Sequence, residues 1–399
     1  MGFFFPQLPE KLLGANMEKP VKVAIVSRYF GDWGGAELFA WRLGVGLLED
    51  PRWEIHVVGL RPGQRTQGFV FHEAGRILPR SGPWGQLAFA MQAKRYLQKG
   101  AFDLVHSHEL GVEADVVSFG LPRRRWRKIV GKARSWATPQ DKLVDLLERK
   151  TLFSPRCRVI LCPSELAAGE LRTEYPELVP KIRVLCPGVE FRSFQVFPER
   201  QELKQKLFGP LGWKREDLVA LFIGNNFRLK GLPQTAEAVA RLREKGYPLR
   251  LCVVGRGNPK EAGSCLRTLQ SQRAVWFSGP VSQSLASSYY GASDFLLFPS
   301  RWEAFGMVVL EALASGLPVV VGPHVGAAKL VDPGRNGWIL EDPESVQELA
   351  QCLERLCNPL ERERMGKEAR QTAERCDWRF RVKELVRIYE ECLGVTQKD

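Results

Sequence analysis

Along the whole chain, short apolar runs alternate with segments whose apolar residues return every three to four positions. The run "VKVAIVS" (21–27) leads into the glycine-rich "GDWGGAE" and then into "LFAWRLGVGLLE", where apolar residues recur at helical spacing. That order predicts a strand, a loop and a helix. "WEIHVVGL" (53–60), "DLVHSHE" (103–109) and "RVILCPS" (158–164) are further strand candidates, separated by helix-compatible segments such as "LAFAMQAKRYLQKG". Alternation of this kind predicts an α/β fold, a parallel sheet with helices on both faces.

After the polar segment "QVFPERQELKQKLFG" the design starts again. "LVALFIG" (218–224) leads into "NNFRLKG" and the helical "EAVARLREKG", and "LRLCVVGRG", "AVWFSG" and "DFLLFPS" continue the series. The reading is therefore two doubly wound, Rossmann-like domains, 1–195 and 196–377, with residues 1–18 as a tail and Met17 as an alternative start. A final helical segment (378–399) is long enough to cross back onto the first domain. Two such domains in series predict a cleft between them, with ligands at the carboxyl ends of both sets of strands.

The stretch "RWEAFGMVVLEALASGLPVVV" (301–321) holds two acids, Glu303 and Glu311, with no other charge between them. Residues eight apart on one helix stand ~80° out of line, so a shared helical face does not explain the pair. The run 307–314 reads as a helix stopped by Ser315-Gly316, with Pro318 beyond. Glu303 then lies in a loop ahead of the helix and Glu311 on it. Both can reach one ligand near the helix's free N–H groups, which favour negative charge.

Composition narrows the class. At 44% apolar and 26% charged, without low-complexity tracts, the 399 residues read as globular rather than disordered. The net charge of +13 is concentrated in residues 1–200, which hold 30 basic and 21 acidic groups, and favours anionic partners. The nine cysteines show no C-x-x-C pair or metal spacing, which fits a reducing cytoplasm. No run of about 18 apolar residues occurs, so any membrane contact is expected to be peripheral, on the inner face of the cytoplasmic membrane.

Within the second half, "GNNFRLKGL" sets Arg228 and Lys230 in the loop after a strand, a fork of donors and a compact charge that together suit a diphosphate. "VVGRGN" alone marks no more than a tight turn. The series "FIGNNFRLKG", "VVGRGN", "FSGPVSQSLASSYYGASDFLLFPSRWEAFGMVVLEALASGLPVVV" and "NGWIL" resembles the nucleotide-sugar domain of family 4 retaining glycosyltransferases, which have the GT-B fold. "GGAE" (34–37) and "DLVHSHE" resemble that family's glycine-rich loop and its D-x-V-H-x-H strand end.

The resemblance implies a set of roles. Glu303 would bind the hydroxyls of the transferred sugar, the backbone of Ala304, Phe305, Gly306 and Met307 would hold sugar and phosphate, and Glu311 would accept from the donor ribose. Lys230 and Arg228 would neutralise the diphosphate, with Asn225 sharing that work. Only Leu229 separates the two cations here, a shorter gap than in many relatives, which leaves Arg228 the less secure of the pair. Gly34 and Gly35 would let the backbone approach the donor, the base would rest near Gly279 and Val281, and His108 would face the donor sugar. His106 reads as structural. The chemistry implied is retaining sugar transfer from a nucleotide diphosphate to an acceptor hydroxyl, with neither cofactor nor metal.

The segment "LPRRRWRKIVGKARSW" (121–136) holds seven basic residues and no acid, interleaved with Trp126 and Trp136. Arg123, Arg124, Arg125, Trp126, Arg127 and Lys128 form its densest part. It reads either as a solvated face or as a flank for a glycan or glycolipid acceptor at an anionic membrane surface. With "HELGVEADVVSFG" before it, it resembles lipopolysaccharide core glucosyltransferases, which hints at UDP-glucose as donor. The rival readings are a nucleic-acid-binding protein using the basic run, although no recognised binding module occurs, and a GT-B epimerase.

Overall fold

The structure, a computed structural model, describes residues 19–31, 34–62, 67–75, 82–131, 137–194 and 200–394. The expected tail, Met17, the expected boundary at 195/196 and Trp136 lie outside these residues.

Seven strands form the first sheet: β1 (Val21–Val26), β2 (Trp53–Gly59), β3 (Val70–Glu73), β4 (Leu104–Ser107), β5 (Val116–Ser118), β6 (Val159–Cys162) and β7 (Ile182–Val184). All pairs are parallel, in the order β3-β2-β1-β4-β5-β6-β7. The second sheet contains β8 (Leu218–Ile223), β9 (Leu249–Val254), β10 (Val275–Gly279), β11 (Phe295–Phe298), β12 (Val319–Val321) and β13 (Gly337–Ile339). It repeats the same winding, β10-β9-β8-β11-β12-β13, also all parallel.

The helices that bear on the site are α1 (Gly35–Leu47), α2 (Arg123–Ile129), α3 (Pro139–Leu152), α4 (Glu165–Glu174), α5 (Leu232–Glu244), α6 (Gln283–Ala292), α7 (Met307–Ala314) and α8 (Trp378–Leu393).

Burial on both faces explains why the strands read as unbroken apolar runs. Val23 and Ile25 of β1 face a core shared with Leu43 of α1 and Leu385 and Tyr389 of α8, while Ala24 and Val26 face Phe89 and Ala93 on the other side. In β8, Val219 and Leu221 face the core built with α6 and α7, and Ala220 and Phe222 face α5. The last helix, α8, thus belongs by packing to the first sheet. The chain reaches it where Val189 N–H donates to Cys376 O at 2.8 Å, and Gly188 is required there because a Cβ would sit 2.8 Å from the Trp378 backbone.

In a doubly wound sheet the crossovers leave in opposite directions on either side of the first strand, which opens a crevice at the carboxyl ends of the two central strands. Here those pairs are β1/β4 and β8/β11. They carry Arg28 and His108 in one sheet, and the 224–231 and 299–306 loops in the other.

Candidate active site

The loop after β11 brings Glu303 to the start of α7. Its course is set by backbone pairing: Glu303 N–H donates to His324 O at 2.9 Å, and Gly326 and Ala327 N–H donate to Glu303 O (3.1 Å) and Phe305 O (2.7 Å). Gly306 caps α7 at φ +92, and a Cβ there would lie 2.9 Å from Val325 Cγ1. No side-chain hydrogen bond caps this end, and Val309 N–H donates to Gly306 O at 2.9 Å.

The loop after β8 turns back on itself at Gly224 (φ +152) and Asn226 (φ +58) and enters α5 at Gly231, where a Cβ would meet Pro299 O at 2.4 Å. This close approach of the two loops brings Lys230 to Glu303, and the two form an ion pair. Burial pushes the Lys230 ammonium down to about 8. The side chain also stands 5.7 Å over the Phe298 ring. A largely buried lysine thus stands beside a helix start and a carboxylate.

The other expected residues fall around this pair. Glu311 is buried on α7 at 8% exposure, and its Oε2 accepts from Tyr290 Oη at 2.7 Å. Arg228 is exposed, its backbone N–H bonded to Glu261 Oε2, so it shares the loop but not the ion pair. Asn225 is exposed and its Oδ1 accepts from Arg256 N–H at 2.8 Å, tying the β8 and β9 loops together. Gly279 (φ +73) accepts from Gly255 N–H at 2.9 Å, and Val281 lies half-buried against the adjoining core.

On the first domain, Gly34 caps α1 in extended backbone (φ −173), and at Gly35 a Cβ would meet nothing within 4 Å. His108 follows β4, stacks on His106 at 4.4 Å and meets the edge of Phe39 at 6.1 Å. Burial holds its pKa down to about 3, so the ring is neutral, and among the described residues its shielded Nε2 has no hydrogen-bond partner. A desolvated polar atom with no partner costs about 1–3 kcal/mol. His106 differs: Nδ1 lies 2.7 Å from Tyr389 Oη on α8 and Nε2 2.8 Å from Ser118 Oγ.

The two halves meet at this point. Met307, the first residue of α7, packs against the cores of both domains. Ser164 Oγ at the start of α4 donates to Ala304 O at 2.5 Å. Neither Ser164 nor Tyr290 was expected from sequence: each is an ordinary residue in its own segment, and only its long-range partner gives it a role.

The basic run is corrected. Arg123 pairs with Asp141 at 2.6 Å and donates its N–H to Glu148 at 2.9 Å; Arg125 pairs with Glu170, Arg127 with Asp141 at 3.7 Å, and Arg124 with Glu174 at 3.5 Å. Carboxylates of α3 and α4 therefore compensate α2, and a free cationic flank is not what Arg123, Arg125 and Arg127 form. Lys128 and most of Arg124 stay exposed, and Trp126 is half-buried. Among the described residues no helix is long and apolar enough to cross a membrane.

Comparison with known proteins identifies the family and the fold. Residues 33–192 match the family described as Glycosyltransferase Family 4, and residues 204–372 match Glycosyl transferases group 1. The chain belongs to the family 4 glycosyltransferases. It is similar to D-inositol 3-phosphate glycosyltransferases, 31% identical to that of Corynebacterium urealyticum over 58% of this chain and 56% of the relative. To that of Gordonia bronchialis it is 27% identical, over 94% of this chain and 89% of the relative. The chain thus spans little more than half the length of the Corynebacterium relative.

Among solved structures, WaaG, a glycosyltransferase involved in lipopolysaccharide biosynthesis, superposes with a TM-score of 0.77 at 20% identity, over 92% of this chain and 99% of that one. The Anabaena protein HepE, solved with UDP-glucose, gives 0.69 at 16%, over 93% and 99%. The shared architecture is GT-B: this family 4 chain folds as two facing Rossmann-like domains.

Proposed function

We propose that this family 4 chain is a retaining hexosyltransferase that moves glucose or a close relative from a UDP-linked donor to an acceptor hydroxyl on a glycan or glycolipid. The observation that carries the reading is the convergence of Lys230, Glu303 and the uncapped start of α7 where Met307 bridges the two domains.

In this reading the diphosphate lies on the α7 N–H groups and Lys230, with Arg228 as an outer cation. These stabilise charge as the bond from the anomeric carbon to the phosphate oxygen breaks and its electron pair passes to that oxygen. Glu303 and the neutral His108 hold sugar hydroxyls. The acceptor oxygen attacks from the face the phosphate leaves and gives its proton to the departing phosphate, so the configuration is retained and no separate carboxylate base is needed. Glu311 binds the ribose, and the main chain near Gly279 and Val281 holds the base. Lys230 and the helix start supply the positive charge in place of a divalent ion.

Two acceptor classes compete. The basic segment's likeness to lipopolysaccharide core glucosyltransferases favours a core glycan, and the curated relatives' names favour a phosphorylated cyclitol. Thermal shift against UDP-, GDP- and ADP-glucose tests the donor, with about 2.7 kcal/mol of stabilisation expected at a hundred times Kd. Product analysis with each acceptor class then decides between them. No response to any nucleotide sugar, together with retention on polynucleotide, overturns the proposal.

A further inference from the structure

We propose that Tyr290 is a positioning residue for the donor nucleotide: its hydroxyl fixes the Glu311 carboxylate in the orientation that receives the ribose. The inference rests on the reading that Glu311 meets the ribose, and it adds a residue outside the E-x7-E segment to the donor site.

Glu311 is the only charged side chain on α7, and its neighbours Val309, Leu310, Ala312, Leu313 and Ala314 are buried and apolar. A carboxylate in such surroundings must be held by donors. Tyr290 supplies one to Oε2 at 2.7 Å. The tyrosine is itself wholly buried, its ring set edge-on to Phe194 at 5.7 Å, so the hydroxyl is a fixed donor. Burial and the adjacent carboxylate push its ionisation well above the usual tyrosine range, and the proton stays on the phenol.

Phenylalanine would fill the same volume without burying a polar atom, so packing alone does not call for tyrosine here. The connection also has a direction. Tyr290 belongs to α6, which begins directly after Gly279–Ser282, the loop read as lying beside the base. Through the hydroxyl, the helix that starts at the base loop sets the acid that meets the ribose, so base and sugar sites are held in one register.

The test is calorimetric binding of UDP, ADP and GDP and their 2′,3′-dideoxy forms to the whole chain, wild type, Tyr290→Phe, Glu311→Gln and the double variant. For the nucleotide that binds best, wild type is expected to prefer the ribose form by roughly tenfold or more, and Glu311→Gln to lose most of that preference. Tyr290→Phe should cut the preference at least ~3-fold while leaving dideoxy affinity unchanged, and the double variant should discriminate no worse than Glu311→Gln alone. A Tyr290→Phe protein that keeps the wild-type preference, or that weakens both ligands equally, overturns this inference and leaves the transferase reading standing. Failure of all three nucleotides to bind wild type overturns both.

Discussion

The depressed ammonium of Lys230 makes donor affinity depend on pH in a defined direction. Burial lowers its pKa from 10.5 to about 8 in the free protein. A bound diphosphate beside the ammonium favours the charged form and raises the value again. Binding therefore takes up a proton once the free lysine begins to lose its own, so affinity is greatest below pH 8 and falls as pH rises through it. With a bound-state value above ~10, Kd at pH 8.5 should be about four times that at pH 7, roughly 0.8 kcal/mol. Proton uptake should rise from about 0.1 at pH 7 to about 0.75 at pH 8.5. Calorimetry of the best-binding nucleoside diphosphate, in buffers of two ionisation enthalpies, reads both quantities. Lys230→Arg keeps its charge across this range, so its Kd should be flat and its proton uptake near zero. A flat wild-type profile, or an equal slope in Lys230→Arg, refutes the reasoning.

Four other outcomes follow from the same geometry. Burial raises Glu148 from 4.5 to about 7 despite hydrogen bonds from Tyr175 and the Arg123 backbone. The folded state thus holds that proton more tightly than the unfolded chain, and up to roughly 3 kcal/mol of stability present below pH ~4.5 is lost as pH rises through 7; Glu148→Gln should flatten the unfolding midpoint over that window. Arg123→Ala, which strips Asp141 and its capping box of a partner, should cost about 1–3 kcal/mol in denaturant unfolding without changing salt-dependent sedimentation with anionic vesicles. Gly306→Ala combines φ +92 with a 2.9 Å contact to Val325 and should cost about 1–3 kcal/mol, seen as a lower melting temperature and weaker nucleotide binding. In steady-state kinetics Glu303→Ala should lower kcat by roughly 100-fold or more, because the carboxylate that meets the sugar is lost.

What the sequence determined by itself was local. The 3.6- and 2-residue periodicities of hydrophobic positions are fixed within a dozen residues, so β1, β8 and the helix Met307–Ala314 were readable, and with them the loop position of Glu303 and the helical position of Glu311. The all-parallel double winding followed from short apolar runs alternating with helical segments, a series that begins again in the second half.

Partner choice was not readable, because crossover connections bring together residues far apart in the chain. Glu311 and Tyr290 are 21 residues apart, Ser164 and Ala304 are 140 apart, and His106 and Tyr389 are 283 apart. The basic run shows the difference plainly. As sequence it is a block of uncompensated charge, and only folding brings Asp141, Glu170 and Glu174 against it. Periodicity is a property of the chain alone, whereas the neutralisation of a charge, the lack of a partner for His108 Nε2 among the described residues and the pairing of Lys230 with Glu303 depend on which segments the fold packs together.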